Sequence, residues 1–439
     1  MSELRIWMNG EEVASWQEDR RSGSRLSYLP GWLDSPQARP LSLSLPLLPA
    51  GESHRGTAVT DYFDNLLPDN DSIRKRIRDR FGIRSSGTFE LLQEIGRDCV
   101  GAVQLLAVGV SPGDIHGIAG TPLDEAQVAA CLHAVTSSAL PGQLTEDDFR
   151  ISIAGAQEKT AFLRHGGRWC IPLGSTPSTH IFKLPLGLVG NMRADMHASV
   201  ENEWLCMQLL AAFGLPVANT SIGRFDEQRV LIVERFDRRL ARDGKRWLRL
   251  PQEDMCQVFG LPSSRKYESD GGPGIVQIME LLRQSQQPQD RATFFKTQLL
   301  FWLLAATDGH AKNFSIHIEA AGRFRLTPIY DVLSVYPILD GDPNHLDPHK
   351  AALAMSVAGK NRHRQLLRIR RRHWNDTARA CGVAEGAEPW IEELLSRVEP
   401  AIHDVQSRLP ADFPQRVSLP IFRGLREAAA RLAEMTADA

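Results

Sequence analysis

The sequence predicts an α+β protein, with a mixed N-terminal part built on antiparallel sheets and an all-α C-terminal part. Three observations predict it. Short alternating strands and turn residues dominate up to about residue 250, helical periodicity dominates from 251 to 439, and the helix expected at 291–306 is apolar on nearly every side. At ~150 residues per domain, a chain of 439 residues divides into two or three parts. Composition shifts place them at 1–110, a small α/β part; 111–250, a sheet with a glycine turn; and 251–439, a helical part.

Composition narrows the function classes. With 42% hydrophobic and 24% charged residues the chain is neither disordered nor collagen-like. Fifty-one basic against fifty-three acidic residues leave a formal charge of −2, so any nucleic-acid surface is a local patch. Cys99, Cys131, Cys170, Cys206, Cys256 and Cys381 include no C-x-x-C pair and several sit in apolar runs, the pattern of reduced thiols in a cytoplasmic protein. The opening MSELRIWMNGEEVASW has no uninterrupted apolar core, and Leu299 to Ala306 falls short of the ~20 residues of a membrane span. No targeting segment or membrane contact is expected.

The elements follow in order. Asn9-Gly10 between apolar runs marks a hairpin, and the alternation Leu41-Ser42-Leu43-Ser44-Leu45 predicts a strand. Residues 69–82 read as a helix, Val100 to Leu106 as a strand returning to the first sheet, and 109–123 as a linker. Strands are expected at Phe149 to Ile151, Lys159 to Leu163, Arg168 to Pro172 and Thr179 to Leu184, with a glycine turn at Gly155. The period of two sets Lys183 on the face of Ile181; the alternative is an edge lysine that snorkels to water. A helix at 197–213 stops at Gly214 and Pro216 and carries Glu203 on its apolar stripe, where a carboxylate needs a partner such as Lys183 or an outlet to solvent. The apolar strand Val230 to Val233 breaks into Glu234-Arg235-Phe236-Asp237, an edge suited to a flat ring.

The chemistry concentrates after the apolar helix. Asp308 and Asn313 are five apart, the spacing of the base and the metal-binding amide in the kinase loop H-R-D-x-x-x-x-N, and Asp331 follows after a short strand and a turn. Phosphoryl transfer uses this set: a carboxylate to orient the attacking hydroxyl, an amide and a second carboxylate for Mg²⁺, and a lysine for phosphates. A D-x₄-N match alone is common; the order glycine turn, strand lysine, helix glutamate, apolar strand, Asp/Asn loop, Asp is restrictive. Competing templates fail. Ile153 and Glu158 occupy both glycine positions of a P-loop before Lys159-Thr160, and Gly109-Val110-Ser111-Pro112-Gly113 lacks the N–H of an oxyanion hole at Pro112. No G-x-G-x-x-G follows a strand, and His310 has no second histidine at zinc spacing.

These residues carry a resemblance to the HipA family of serine/threonine-kinase toxins, over nearly the whole chain. It rests on RPLSLSLPL from Arg39, FDNLLPD from Phe63, EIGRDCVGAV from Glu94, Ser152 to Lys159, Leu250 to Asp254, Tyr267 to Gly272, and Thr307 to Asn313. The resemblance implies a two-lobed kinase-like fold of the phosphatidylinositol-kinase type, with ATP and Mg²⁺ as cofactors and Tyr330-Asp331-Val332 in place of D-F-G. Asp308 is the implied base, His310 braces its loop, and Asn313 and Asp331 are the implied metal ligands. The resemblance also implies that His310, Lys183, Lys312 and the turn residues Ser152, Ala154, Gly155, Ala156, Gln157 and Lys159 meet the nucleotide, with Glu234 and Phe236 at the adenine and Gln252 helping to complete the pocket. Ser152 corresponds to the family's autophosphorylated serine, an off switch; read alone it is a turn serine bonded to backbone.

The implied partners are a HipB-like helix-turn-helix antitoxin, operator DNA through that complex, and a translation-linked protein substrate, glutamyl-tRNA synthetase by resemblance, whose modification halts growth and promotes persistence. Lys360 to His373 holds seven Lys/Arg residues and no acid, with Arg364, Arg368, Arg371 and Arg372 expected on one helical face that either is solvated or meets DNA phosphates. Two other classes stay open: a non-catalytic pseudokinase co-repressor module that holds antitoxin and DNA, and a kinase for a lipid or small molecule.

Overall fold

The computed structural model describes residues 2–19, 21–136, 152–155, 157–190 and 193–437. The strand expected at Phe149 to Ile151, and Ala156 of the glycine turn, lie outside the described residues. By compactness the chain forms two units, one of Met1–Leu184, Gly223–Arg265 and Ser315–Phe324, the other of Pro185–Ile222, Lys266–Phe314 and Arg325–Ala439.

The first unit opens on an antiparallel sheet in the order His54–Arg55, Gly23–Tyr28, Glu11–Asp19, Ser2–Met8, Val103–Ala107. Asn9 and Gly10 both take positive φ (50° and 91°), the turn whose twist suits a two-residue hairpin. Alternate residues Leu4, Ile6, Val13 and Leu26 point into a core where Trp16 stacks on Phe63 at 3.9 Å. Leu41 to Leu45 is not the expected strand. It is a turn closed by a Ser42–Leu45 bridge, because both serine hydroxyls donate to the Gln257 carbonyl and the Leu43 N–H to Glu253 Oε1. Serine satisfied locally gives the backbone an alternative to a ladder.

A second antiparallel sheet runs Gln228–Glu234, His180–Lys183, Lys159–His165, Arg168–Pro172, Gly120–Leu123, with Thr220–Phe225 as its other edge strand. The helix Glu125–Val135, capped by Asp124 in a capping box, covers it with Val128, Leu132 and Val135 against Phe162, Phe182 and Ile232. A short strand, Gln252–Asp254, pairs antiparallel with Ser315–Ile318.

The second unit is built around the helix Asp290–Leu303, whose Phe294, Phe295, Leu299, Leu300 and Leu303 are fully buried. Glu388–Ser407 and Gln415–Glu434 pack against it, and Ser199–Ala212 packs against those two helices. The C-terminal part is not all-α. Ala352–Val357 and His363–Gln365 form a hairpin whose short strands leave little periodicity to read, and Ser315–Ile318 is the short strand expected between Asn313 and Asp331. The hairpin also breaks the expected basic helical face. Arg364 lies on a strand beside Glu268, Arg368 ends a 3₁₀ turn, and Arg371 is buried with its guanidinium on Glu388 and Glu392. Among the described residues no helix is long and apolar enough to cross a membrane.

Candidate active site

In the second unit, the buried helix Asp290–Leu303 delivers the chain to the Asp308 loop. Its end is closed by the Ala306 N–H on the Phe301 carbonyl (2.7 Å), with Ala305 at φ 49°. Gly309 follows because a side chain there would press into the Phe301 ring. Asp308 is exposed, while His310, Lys312 and Asn313 are buried. The loop is laced by His310 N–H to Asp308 O (2.8 Å), Asn313 N–H to His310 O (3.0 Å) and Ala311 N–H to Lys266 O (3.0 Å).

Asn313 joins the two acids. Its Nδ2 donates to the main-chain carbonyls of Asp308 (3.1 Å) and Asp331 (3.2 Å), which turns its Oδ1 away as a donor atom for a cation. Asp331 takes φ 62°, a left-handed conformation that aspartate adopts more readily than most side chains, and the Tyr330 hydroxyl donates to Lys312 O at 2.8 Å. An amide oxygen and a carboxylate are hard oxygen donors, the kind Mg²⁺ takes, so this pair fits the metal.

Three further residues, assigned no role from sequence, build this loop. The Tyr267 hydroxyl donates to Asp308 Oδ1 at 2.6 Å, and its ring meets His310 edge-on at 5.0 Å. Asn202 accepts the Ser334 N–H (2.8 Å) and donates to the Ser334 carbonyl (2.7 Å), while the Ser334 hydroxyl donates to Leu304 O (2.6 Å). The segment after Asp331 is thereby tied to the helices Ser199–Ala212 and Asp290–Leu303. For Tyr267 the motif Tyr267 to Gly272 was the available signal; for Asn202, 132 residues from Ser334, there was none. Glu203 is buried at 2% exposure on the same helix.

In the first unit, the glycine turn is seated on the FDNLLPD segment. Ser152 is fully buried, its N–H on Asp98 O (3.1 Å) and its hydroxyl on Leu66 O (2.8 Å), and the Asp69 N–H donates to Gly155 O (3.1 Å). Gly155 has φ 109°, closed to other residues without strain, and a Cβ there would lie 2.6 Å from Lys159 Nζ. Ala154 is half-buried, and Gln157 Nε2 donates to Leu184 O (2.5 Å). Lys159 and Lys183 stand directly opposite on neighbouring strands, so two ammonium groups share a sheet face beside the turn. That is an arrangement able to hold phosphate oxygens. Glu234 is exposed at the end of its strand, Phe236 meets His317 edge-on at 5.9 Å, and Gln252 is the strand partner of His317.

Behind Glu234 and Phe236 lies a fully buried ion network. Arg235 Nη2 donates to Asp237 Oδ2 (2.8 Å), Arg238 and Arg249 reach Asp98 Oδ1 (2.9 and 3.1 Å), and the Ser178 N–H and hydroxyl donate to Asp98 Oδ2. Burial works to raise the Asp98 carboxyl, but Arg238, Arg249 and Arg235 outweigh it and hold the group well below the usual carboxylate range. Burial and the neighbouring Arg235 lower Arg238 to about 10. The network joins the GRDCVG motif to the residues flanking Phe236, and Asp98 also carries the Ser152 N–H.

Comparison with known proteins covers the segments that carry these residues. The HipA N-terminal domain family matches residues 4–106, and the HipA-like C-terminal domain family matches residues 151–402. The chain belongs to the HipA family. A Sinorhizobium fredii protein named "Putative kinase Y4mE" is 35% identical over 346 residues, 77% of this chain and 79% of that protein. The serine/threonine-protein kinase toxin HipA of Shewanella oneidensis is 28% identical over 373 residues, 79% of this chain and 81% of the relative. A solved Shewanella oneidensis complex of HipA, HipB and operator DNA contains a chain with a TM-score of 0.77 at 23% identity, covering 98% of this chain and 97% of that one, a likeness of fold. Both of these relatives of the HipA-family chain carry the name of a kinase.

Proposed function

We propose that this HipA-family protein is a serine/threonine-protein kinase toxin with a phosphatidylinositol-kinase-like fold, transferring the γ-phosphate of ATP to a protein hydroxyl. The observation that carries it is Asn313, whose amide binds the main chain of both Asp308 and Asp331 and so sets an exposed carboxylate beside a pair of oxygen donors. Asp308 orients the acceptor hydroxyl and takes its proton, and His310 supports the loop. Bound at Asn313 and Asp331, Mg²⁺ supplies charge neutralisation at the phosphates. Lys183, Lys159, Lys312 and the glycine turn hold phosphate oxygens, and Glu234, Phe236 and Gln252 hold the base.

Ser152 is the proposed self-modification site and off switch. Its buried seat on the Leu66 carbonyl accepts a hydroxyl and excludes a phosphate of about −2 charge, so a modified turn cannot return to it. A HipB-like antitoxin and operator DNA are the proposed partners, supported by the Shewanella oneidensis complex. The substrate is a translation-linked protein, with glutamyl-tRNA synthetase implied by family resemblance, and the six free, buried cysteines accord with a cytoplasmic setting.

The test incubates dephosphorylated protein with ATP and Mg²⁺ and maps new phosphate by mass spectrometry, with Asp308→Ala as control. Phosphate on Ser152 that vanishes in the control supports the reading. ATP binding without transfer overturns it in favour of a non-catalytic module.

A further inference from the structure

We infer that Tyr267 is the positioning residue of the Asp308 loop: its hydroxyl holds one carboxylate oxygen of Asp308 so that the other is presented to the acceptor hydroxyl. The inference rests on the kinase reading above and adds to it a group that acts through the base.

The contact is short. Tyr267 Oη lies 2.6 Å from Asp308 Oδ1, within the ~2.5–2.7 Å range of a hydroxyl donating to a charged carboxylate. Among the described residues it is the one side chain hydrogen-bonded to that carboxylate, which is otherwise exposed. An exposed aspartate at a loop tip turns about two side-chain torsions, and a base that must meet a hydroxyl in one orientation loses rate to that freedom. A bond to Oδ1 fixes the plane of the carboxylate and leaves Oδ2 to the acceptor.

Tyr267 is itself firmly supported. The carbonyl of its neighbour Lys266 accepts the Ala311 N–H at 3.0 Å, so the tyrosine's strand of chain is bonded to the Asp308 loop at a second point. The Tyr267 carbonyl accepts the Asp270 and Gly272 N–H groups (3.0 and 2.9 Å), and the ring stands edge-on to buried His310. Next along the chain, Glu268 is held by the Ser356 N–H and hydroxyl and by Arg362. A hydroxyl merely filling the acceptor's place would have to leave during turnover; these anchors favour one that stays.

Tyr267→Phe removes the hydroxyl and keeps the ring on His310. The experiment measures single-turnover transfer from labelled ATP with Mg²⁺ onto the full-length protein, ATP affinity by fluorescence titration, and the melting temperature. The expected result is a transfer rate about 10- to 100-fold lower with ATP affinity within about twofold and unchanged melting, the split of a group acting on the step rather than on binding. Transfer at the parent rate or faster overturns the inference, and a faster rate shows that the hydroxyl blocks the acceptor. Equal losses in transfer, ATP affinity and melting overturn it in favour of a structural role. A parent protein that binds ATP and transfers nothing overturns the kinase reading and this role with it.

Discussion

Replacing Asp98 by asparagine tests the buried network most directly. Two carboxylates, Asp98 and Asp237, face three guanidiniums, Arg235, Arg238 and Arg249, all essentially out of solvent, so the cluster already carries one net positive charge. The amide raises that to two and leaves Arg238 and Arg249 without a charged partner on Oδ1. Breaking a buried pair from one side costs about 3–5 kcal/mol. At a urea m-value of about 3 kcal/mol/M the unfolding midpoint, read by tryptophan fluorescence, drops by about 1–2 M. The sign with pH follows from a folded carboxyl held below its unfolded value of 3.8: its stabilisation is complete above that value and is lost as pH falls through the folded one. The gap between parent and Asp98→Asn is therefore widest near neutral pH and narrows below about pH 4. A neutral-pH difference under about 1 kcal/mol, the size of a surface pair, refutes the argument. On the proposed function ATP affinity should fall as well, because Arg235, Asp237 and Arg238 set the flanks of Phe236.

Three other outcomes are expected. Burial pushes the Glu253 carboxyl up to about 8, above the opposing effects of Ser42 and the Leu43 N–H, so between 4.5 and that value the folded protein keeps a proton the unfolded chain releases, and stability falls as pH rises. Glu253→Gln should thus match the parent near pH 4.5 and exceed it by at least about 2 kcal/mol at pH 8 in urea unfolding; a pH-independent difference sinks the idea. Gly309→Ala drives a methyl into the Phe301 ring and should cut phosphate transfer at least about tenfold, with partial recovery in the Gly309→Ala, Phe301→Leu double variant. Asn202→Ala leaves the buried Ser334 N–H and carbonyl without their partner, at a cost of about 2–3 kcal/mol, and loosens the Asp331 segment, so the Mg²⁺ concentration for half-maximal transfer should rise.

Much of the local structure was legible. Asn9-Gly10 specified a hairpin through the φ values its turn needs, and the run Phe294 to Leu304 specified a buried helix because polar residues are sparse on every face. The antiparallel strands around Lys159 and Lys183 were legible from period-two patterning and glycine punctuation. Leu41 to Leu45 failed the same test. Its alternation is that of a strand, but hydroxyls bonded to Gln257, more than two hundred residues away, hold it as a turn. The basic run from Lys360 failed for a related reason: strand, 3₁₀ turn and helix follow within a dozen residues, and Arg371 turns inward to two glutamates that sequence order does not reveal.

By itself, then, the sequence determined many of the helices and strands, the candidate side chains for the chemistry, and the family to which the chain belongs. These properties are local, set by periodicity, turn chemistry and ordered motifs a few residues long. Only the tertiary structure decided what surrounds the chemistry: Tyr267 on Asp308, Asn202 on Ser334, and a charge network drawn from Asp98, Arg235, Asp237, Arg238 and Arg249. Those contacts join residues from two to more than a hundred and fifty positions apart. A buried charge is tolerated only where folding supplies its counter-charge, and the folded chain alone shows which residues those are.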